Sequence, residues 1–316
     1  PTPVLYYALF NLPVQGGVMV TGSHNPPEMN GFKVALGKST LYGEQITELY
    51  EMIRRDDLAS GSGRRTPQSI IPDYLQAVRS RITLDRPLKV VVDAGNGTAG
   101  PWAPGLLREL GCEVIPLFCE EDGRFPNHHP DPTVVAALQW LIAEVKRSGA
   151  DAGIAYDGDA DRIGVVDDQG QIVWGDRLLA LLSREVLARH PGAPIIFEVK
   201  CSQALVEEVE RRGGRPIMWQ TGHSLIKEKM KVEHAPLAGE MSGHMFFADE
   251  YYGYDDAIYA SCRILRLLSR QQEPLSALLA EIPSYPGTPE IRVDCADEVK
   301  FRVVQEIGDD FRREWE

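Results

Sequence analysis

Several things are scarce in this sequence, and each scarcity excludes something. No apolar run approaches the about 18 residues needed to span a bilayer, so no membrane-spanning helix is expected. No charged-then-apolar-then-small pattern opens the chain, so no signal peptide is read. Cysteine is sparse: Cys112, Cys119, Cys201, Cys262 and Cys295 are odd in number and no two have CxxC spacing. That argues against a disulfide framework or a zinc site and points to a reducing, cytoplasmic setting. Positive charge is short as well, with 33 Lys and Arg against 46 Asp and Glu and a net charge of -13. A surface so acidic repels nucleic acid on average, although it admits an anionic substrate wherever positive charge is gathered in one cleft. An initiating Met is also missing, and the opening Pro1-Thr2-Pro3 reads as a fragment or a processed chain.

The chain has 316 residues, 43% hydrophobic and 25% charged, the profile of a globular protein of two or three domains. Patterning predicts a helix near 4–10, strands at 17–20 and 31–36, a helix at 44–55, a linker at 60–63 and a helix at 73–81. A second unit follows, with strand 89–93, a glycine turn, a helix ending at Leu110, strand 112–117, a polar loop, helix 133–147 and strand 152–155. The rhythm restarts with helix 177–189, strand 195–199, helix 203–212, strand 217–219, helix 224–230, strand 237–239 and helix 257–269. A last strand, 290–295, and a helix, 297–315, complete the pattern. Repeated strand–helix alternation argues for parallel α/β layers. The expected segments are 1–68, 69–171, 172–283 and 284–316, the first and last looking incomplete because one strand and one helix cannot bury a core alone.

Four motifs carry chemistry. Asp157-Gly158-Asp159-Ala160-Asp161-Arg162 places carboxylates at i, i+2 and i+4, which converge on one hard cation if the loop curls. It follows an apolar strand, where α/β sites gather. An EF-hand is excluded, because its sixth and twelfth positions hold Arg162 and Asp168; a solvated acidic turn is the bland alternative. In Thr21-Gly22-Ser23-His24-Asn25-Pro26-Pro27, Gly22 and the prolines shape a loop that could offer Ser23 as a nucleophile or phosphate carrier, or be a polar turn. Ser23 and His24 are adjacent and do not make a triad, while Lys33 could point back at the same site. In Gly239-Glu240-Met241-Ser242-Gly243-His244, an extended segment would align Glu240, Ser242 and His244 as a row suited to hydroxyls; an exposed strand end is the alternative. Finally, Gly95-Asn96-Gly97-Thr98-Ala99-Gly100 fits the G-x-G-x-x-G dinucleotide pattern, with Glu120 further on, but a lone fingerprint is weak evidence and a tight strand–helix turn is the plainer reading. His128-His129 sits in a loop between prolines, its side chains diverging, and His190 and His234 look like surface residues. Lys200 ends a strand and His223 precedes a helix, so both could face a cleft.

Taken in order, Thr21–Val34, Asp157–Gly164, Thr221–Lys227 and Gly239–Phe247 resemble the α-D-phosphohexomutase superfamily, closest to its bacterial phosphomannomutase/phosphoglucomutase branch. The resemblance implies successive mixed or parallel α/β sheet domains around a central cleft. It implies that Ser23 is the phosphoserine, and that Asp157, Asp159 and Asp161 hold one Mg2+ with an oxygen on Ser23 as a further ligand. Lys33 and Arg162 would lie beside the transferring phosphoryl group, Lys33 as an acid–base candidate, with His24 in the same loop. Glu240 and Ser242 would bind sugar hydroxyls, with His244, His223 and Lys200 lining the sugar site. The implied reaction interconverts hexose 1-phosphate and hexose 6-phosphate of mannose or glucose through a hexose 1,6-bisphosphate. The implied partners are small sugar phosphates, with no nucleic acid and no membrane, and the protein is expected to be a monomer.

Ala160 stands where the family commonly has Gly, which leaves the three carboxylates intact. The family's opening strand and its distal Arg-Ser-Asn-Thr-type phosphate loop are not in this sequence, so weak activity of the isolated chain is expected. Three alternatives stay open at this point: a phosphoglucosamine mutase, an NAD-dependent oxidoreductase resting on Gly95–Gly100, and a non-catalytic sugar-phosphate-binding fragment.

Overall fold

The computed structural model describes residues 1–23, 25, 29–288, 291 and 293–315. His24 therefore lies outside the described residues, as do Glu290 and Arg292 of the expected strand at 290–295. Residues 1–283 form one compact unit and the chain from Ser284 a second. In the second unit the described residues between 288 and 299 contain no strand, and the helix runs over Lys300–Trp315, three residues shorter than expected at its start.

Three sheets organise the first unit. Helix α1 (Thr2–Asn11) leads to β1 (Gly16–Thr21), which pairs antiparallel with β2 (Gly31–Leu36), itself paired with the two-residue β3 (Ser39–Thr40). The register sets Met19 opposite Lys33 and Thr21 opposite Gly31. Side chains alternate across a strand, so Thr21 and Lys33 share one face. Helices α2 (Glu44–Arg54) and α3 (Ile71–Arg79) follow.

The second sheet has the order β5-β4-β6-β7-β8. Strands β4 (Lys89–Asp93), β5 (Glu113–Leu117) and β6 (Ala152–Tyr156) run parallel, with α4 (Ala103–Glu109) joining β4 to β5. Val90, Val91 and Val92 are fully buried, as a central parallel strand covered on both faces requires. The strand–helix rhythm then breaks. β7 (Ile163–Asp167) folds back antiparallel on β6, and β8 (Ile172–Val173) on β7. The pairing Tyr156↔Ile163 makes the acidic motif the tip of a hairpin. The expected helix at 133–147 is also divided. A 3-10 turn at Val135–Leu138 precedes α5 (Gln139–Ser148), because the Asp131 carboxylate takes both the backbone N–H and the hydroxyl of Thr133 and holds 131–134 as a turn.

The third sheet has the order β10-β9-β11-β12. It alternates α6 (Gly175–Arg189), β9 (Pro194–Glu198), α7 (Gln203–Arg211), β10 (Arg215–Trp219), α8 (His223–Glu233) and β11 (Leu237–Gly239) before the antiparallel β12 (Met245–Phe247). Helix α9 (Ala257–Ser269) is buried along its whole length, and α10 (Leu275–Ala280) follows it. Asp256 caps α9 by accepting from Tyr259 N at 2.9 Å.

Two features lock α9 in place beside the site. The Asp256 carboxylate also accepts from the hydroxyls of Tyr74 on α3 (2.9 Å) and Tyr251 (3.0 Å). Burial pushes its pKa up to about 6, against the pull of those hydrogen bonds. Further along the helix, fully buried Arg263 reaches Asp249 (2.8 Å) and Glu185 (3.0 Å) while its guanidinium lies 4.3 Å from the centre of the Phe247 ring. Removing one partner of a buried ion pair strands the others. Arg263→Ala is expected to cost about 3–5 kcal/mol, read as a lower urea midpoint with unchanged slope.

Candidate active site

The acidic hairpin tip is packed out of water. Asp157, Asp159 and Asp161 are each at most 3% exposed, and their oxygens can lie within 4.8 Å of one another. The loop curls because its own backbone donates inward: the N–H groups of Asp161 and Arg162 both reach Asp157 Oδ1 at 3.1 Å. Ala160 takes the left-handed region (φ +65°), which costs a residue with a side chain about 1 kcal/mol or more. Its methyl is fully buried in the core, which offsets a comparable amount.

The other sheets bring their groups to this tip. From the first sheet, the Ser23 hydroxyl donates to Asp157 Oδ2 (3.0 Å), Thr21 donates to Asp159 Oδ2 (2.8 Å), and the Thr21 oxygen in turn accepts from Ser23 N (2.9 Å). Lys33 Nζ joins Asp159 Oδ2 (2.8 Å) to Asp161 Oδ2. Thr2 at the start of α1 adds its hydroxyl to Asp159 Oδ2 (2.6 Å) and its N–H to the Asp159 carbonyl (2.7 Å). Arg162 binds Asp157 through Nε (3.1 Å) and Asp131 through Nη1 (3.2 Å). From the third sheet, Gly243 O accepts from Ile163 N (3.1 Å), and residues 162 and 244 form an isolated β-bridge.

The electrostatics divide the three acids. Burial, then repulsion from Asp161 and Asp159, raises Asp157 to about 7 despite Arg162 and Lys33. Burial and Asp159 likewise raise Asp161. Asp159 goes the other way: burial opposes ionisation, but the Lys33 ammonium and three donated hydrogen bonds hold its carboxyl below the usual range. Lys33 is raised in turn, the attraction of Asp161 and Asp159 overcoming its desolvation. Asp159 Oδ1 and Asp161 Oδ1 are buried without a hydrogen-bond donor among the described residues. Unpaired buried carboxylate oxygens are costly, and an all-oxygen donor set fits a hard divalent cation such as Mg2+.

A second cluster sits where the sugar loop was expected. Glu240 and Ser242 do not form an extended row with His244. Residues 240–243 make a turn, in which Gly243 N donates to Glu240 O (3.0 Å). Glu240 Oε1 accepts from Gly222 N (2.6 Å) and so braces the segment that carries His223, while Ser242 is half-buried in the same turn. His244 Nδ1 faces Asp255 Oδ2 at 3.2 Å and Asp161 Oδ1 at 3.8 Å. Burial disfavours its charge, but those acids win and lift it to about 9. Its ring stacks on His223, with centroids 5.7 Å apart. Lys200, exposed at the end of β9, has Nζ 3.9 Å from Glu198 Oε1.

Six residues of this network carry no expected role: Thr2, Asp131, Glu198, Lys227, Asp255 and, in the quoted Ser23 motif, Thr21. Asp255 accepts from Lys227 Nζ at 3.0 Å, and Glu198 accepts from Thr221 Oγ1 (2.7 Å) and Met241 N (3.1 Å). The available signal was an apolar strand ending on an acid at Glu198, and the paired Asp255-Asp256 before an apolar helix. A cavity of about 460 Å3 lies away from the acidic loop, lined by Phe10, Lys38, Lys231 and Tyr254 and sharing Lys227 with the site.

Gly95–Gly100 does not open a helix directly, since α4 begins only at Ala103. Its N-terminal N–H, that of Gly95, is taken by the buried Asp93 carboxylate (2.9 Å), which would repel a pyrophosphate. Thr98 N donates to Gly158 O (3.0 Å) and the Asn96 side chain to Glu120 O (2.8 Å), so the turn is a brace for the acidic loop. Of the two loop histidines, His128 meets Asp93 (3.0 Å) and is no part of a metal pair.

Close approach makes one glycine decisive. A Cβ on Gly158 would overlap the carbonyl oxygen of Ser23. Gly158→Ala must push the Ser23 loop off the acids, and a displacement of about 1 Å can cost about 100-fold in rate. That loss of turnover, with a far smaller change in melting temperature, is the expected result of steady-state kinetics and calorimetry on the variant.

Comparison with known proteins gives a consistent answer. Family models described as phosphoglucomutase/phosphomannomutase, alpha/beta/alpha domains I, II and III, match residues 1–60, 72–170 and 174–285. The chain is 51% identical over 310 residues to a phosphomannomutase/phosphoglucomutase of Pseudomonas aeruginosa, covering 98% of this chain and 67% of the relative. It is 47% identical over 294 residues to a phosphoglucomutase of Neisseria meningitidis, covering 92% and 64%. A crystal structure of a phosphoglucomutase/phosphomannomutase family protein from Burkholderia thailandensis matches with TM-score 0.88 and 48% identity, covering 92% of this chain and 65% of that one. The chain thus spans about two thirds of the length of these relatives.

Proposed function

The chain belongs to the phosphoglucomutase/phosphomannomutase family, and from that premise we propose that it interconverts hexose 1-phosphate and hexose 6-phosphate, of mannose, glucose or both, through a phosphoserine at Ser23. The observation that carries this reading is the Ser23 hydroxyl held 3.0 Å from Asp157 at the tip of a buried acid trio. Phosphoryl transfer depends on positioning and charge neutralisation more than on covalent activation, and both are available here. Asp157, Asp159 and Asp161 would hold one Mg2+, which would neutralise charge on the phosphoryl group. Arg162 is fixed by Asp157 and Asp131, and its buried Nη2 has no acceptor among the described residues, so it can be given to a phosphoryl oxygen. Lys33 adds a second fixed positive charge.

In the forward step the bond between phosphorus and Ser23 Oγ breaks and a bond to a sugar hydroxyl oxygen forms. Lys33, the acid–base candidate, is held as an ammonium by Asp159 and Asp161, so it would give a proton to the departing Ser23 Oγ and regain one from the attacking sugar hydroxyl. The resulting hexose 1,6-bisphosphate turns over and returns its other phosphoryl group to Ser23. Glu240, Ser242, His244, His223 and Lys200 would hold the sugar through both orientations. His24, next to Ser23 in the sequence, would serve the same centre. The partners are small sugar phosphates, a monomer suffices, and the five free thiols suit a reducing cytoplasm. Among the described residues no helix is long and apolar enough to cross a membrane.

The test is peptide mass spectrometry after incubation with a hexose 1,6-bisphosphate and Mg2+. One phosphoryl group on the peptide containing Ser23 is expected. A Ser23 that never carries phosphate overturns the reading. Turnover of glucose, mannose and glucosamine phosphates measured side by side then ranks the substrates.

A further inference from the structure

Helix α8 begins at His223, and four residues later, on the same face, it places Lys227. Lys227 is only 9% exposed, and its ammonium has three protons and three receivers. Nζ lies 3.0 Å from Asp255 Oδ1, 3.1 Å from His223 Nδ1 and 4.0 Å from the centre of the Tyr6 ring. An ammonium has no lone pair, so on the His223 contact it can only donate and Nδ1 can only accept. The competing partner of Nδ1 is Asp255 Oδ2, which would call for a proton on Nδ1. It is 3.6 Å away, beyond hydrogen-bond reach. Asp255 Oδ2 is instead turned to His244, 3.2 Å away.

We infer that Lys227 is a positioning residue that locks His223 as the Nε2–H tautomer, so that His223 serves the sugar-phosphate site as a fixed neutral hydrogen-bond donor. A neutral imidazole normally chooses between two tautomers according to the bond its other nitrogen makes. Here the choice is made in advance, from inside the protein. Nε2 has no protein partner among the described residues, and the His223 side chain keeps 29% of its surface open, so this is the nitrogen left for a ligand. Neutrality has a physical basis. Burial lowers the His223 pKa to about 3, helped by the positive charges of Lys227, His244 and Lys33 and opposed by Asp255. The stacked pair therefore has divided duties. His244 faces two acids, while His223 faces an ammonium. The recognised chemistry is an oxygen lone pair, on a sugar hydroxyl or a phosphate, and never a group that must itself donate.

The lock rests on the mutase reading only for the identity of the ligand, and its first test needs neither ligand nor turnover. In protein labelled with 15N-histidine, long-range proton–nitrogen NMR should show His223 with a protonated Nε2 and a bare Nδ1. Lys227→Met should lose that fixed pattern. A protonated Nδ1 in the unmodified protein, or an unchanged pattern in the variant, overturns the inference. Because Lys227→Met leaves Asp255 short of a partner and can unfold the chain, a second pair of variants is read independently. His223→Gln places an amide N–H near the position of Nε2, and His223→Asn places one near Nδ1. Calorimetric binding of glucose 6-phosphate should stay within about threefold for the glutamine variant. For the asparagine variant it should weaken about tenfold, the worth of one net hydrogen bond. Equal loss in both, or better retention by asparagine, overturns the lock. Failure of the unmodified protein to bind any sugar phosphate would count against the mutase reading and leave the NMR result to decide the tautomer.

Discussion

Ser23→Ala should abolish phosphoryl incorporation and lower mutase turnover by at least about 1,000-fold, a loss of about 4 kcal/mol of transition-state stabilisation. The change removes one oxygen, and that oxygen is the only atom of residue 23 that could carry the phosphoryl group. The two threonine hydroxyls bound to the acids are committed: Thr21 has its hydroxyl on Asp159, and Thr2 is on the same carboxylate oxygen. Stability should barely move. Asp157 Oδ2 loses the Ser23 hydroxyl but keeps the Arg162 Nε at 3.1 Å, so no buried acceptor is orphaned, and the net worth of one hydrogen bond is about 1 kcal/mol. Residue 23 sits in the left-handed region (φ +49°) with either side chain, so the backbone cost is shared. Phosphopeptide mass spectrometry, a coupled turnover assay and thermal unfolding together check this. A variant retaining a tenth of the parent turnover would remove Ser23 from the mechanism.

Asp157→Asn should act oppositely on stability and on function. In the folded chain Asp157 is raised from the usual carboxylate range to about 7 by burial and by its two acidic neighbours. A carboxyl that binds its proton more tightly when folded favours the folded state at low pH. In Mg2+-free buffer its contribution should therefore be lost as pH rises from about 4 to about 7. Asparagine cannot ionise, so the variant should lose that part of the pH dependence and match or exceed the parent's melting temperature at pH 8 without metal. Mg2+ reverses the order. At a hundredfold excess over its Kd the ion should stabilise the parent by about 2.7 kcal/mol. Loss of a direct ligand should weaken Mg2+ binding by about 100-fold or more, the upper end of what losing a group that only orients a ligand costs, and turnover should fall with it. Thermal melts across pH with and without Mg2+ are the measurement. An identical Mg2+ shift in both proteins would show that Asp157 does not face the ion.

Much of this site is legible along the chain because it is written in short segments. Asp157, Asp159 and Asp161 share one loop, Ser23 and Lys33 flank another, and the four motif segments keep the order that marks the family. Periodicity placed several strands well: β4, β2 and β11 begin and end where the pattern does. It failed where the chain reverses. The run from Ile163 to Asp167 has a strand's composition, but the strand–helix rhythm leaves no room for a hairpin there. The same bias drew Glu240, Ser242 and His244 as a row, whereas Gly243, at φ +96° and packed on the Ile163 carbonyl, bends them into a turn. Gly95–Gly100 shows the converse, a pattern that fits a nucleotide loop by spacing and is used to support Gly158.

By itself the sequence determined which chemical groups are present and which travel together: a serine loop, a trio of acids two residues apart, and two histidines and a lysine in polar loops. Only the tertiary structure decided what each group is for. Thr2 reaches an acid 157 positions away, Lys227 meets Asp255 across 28, and Asp131 holds Arg162 across 31. Such pairings have no local signal, since charge and burial at a site are sums over whatever the fold brings near. Three identical aspartates were thereby given different proton affinities, and so were two histidines, by neighbours that lie far from them in the chain.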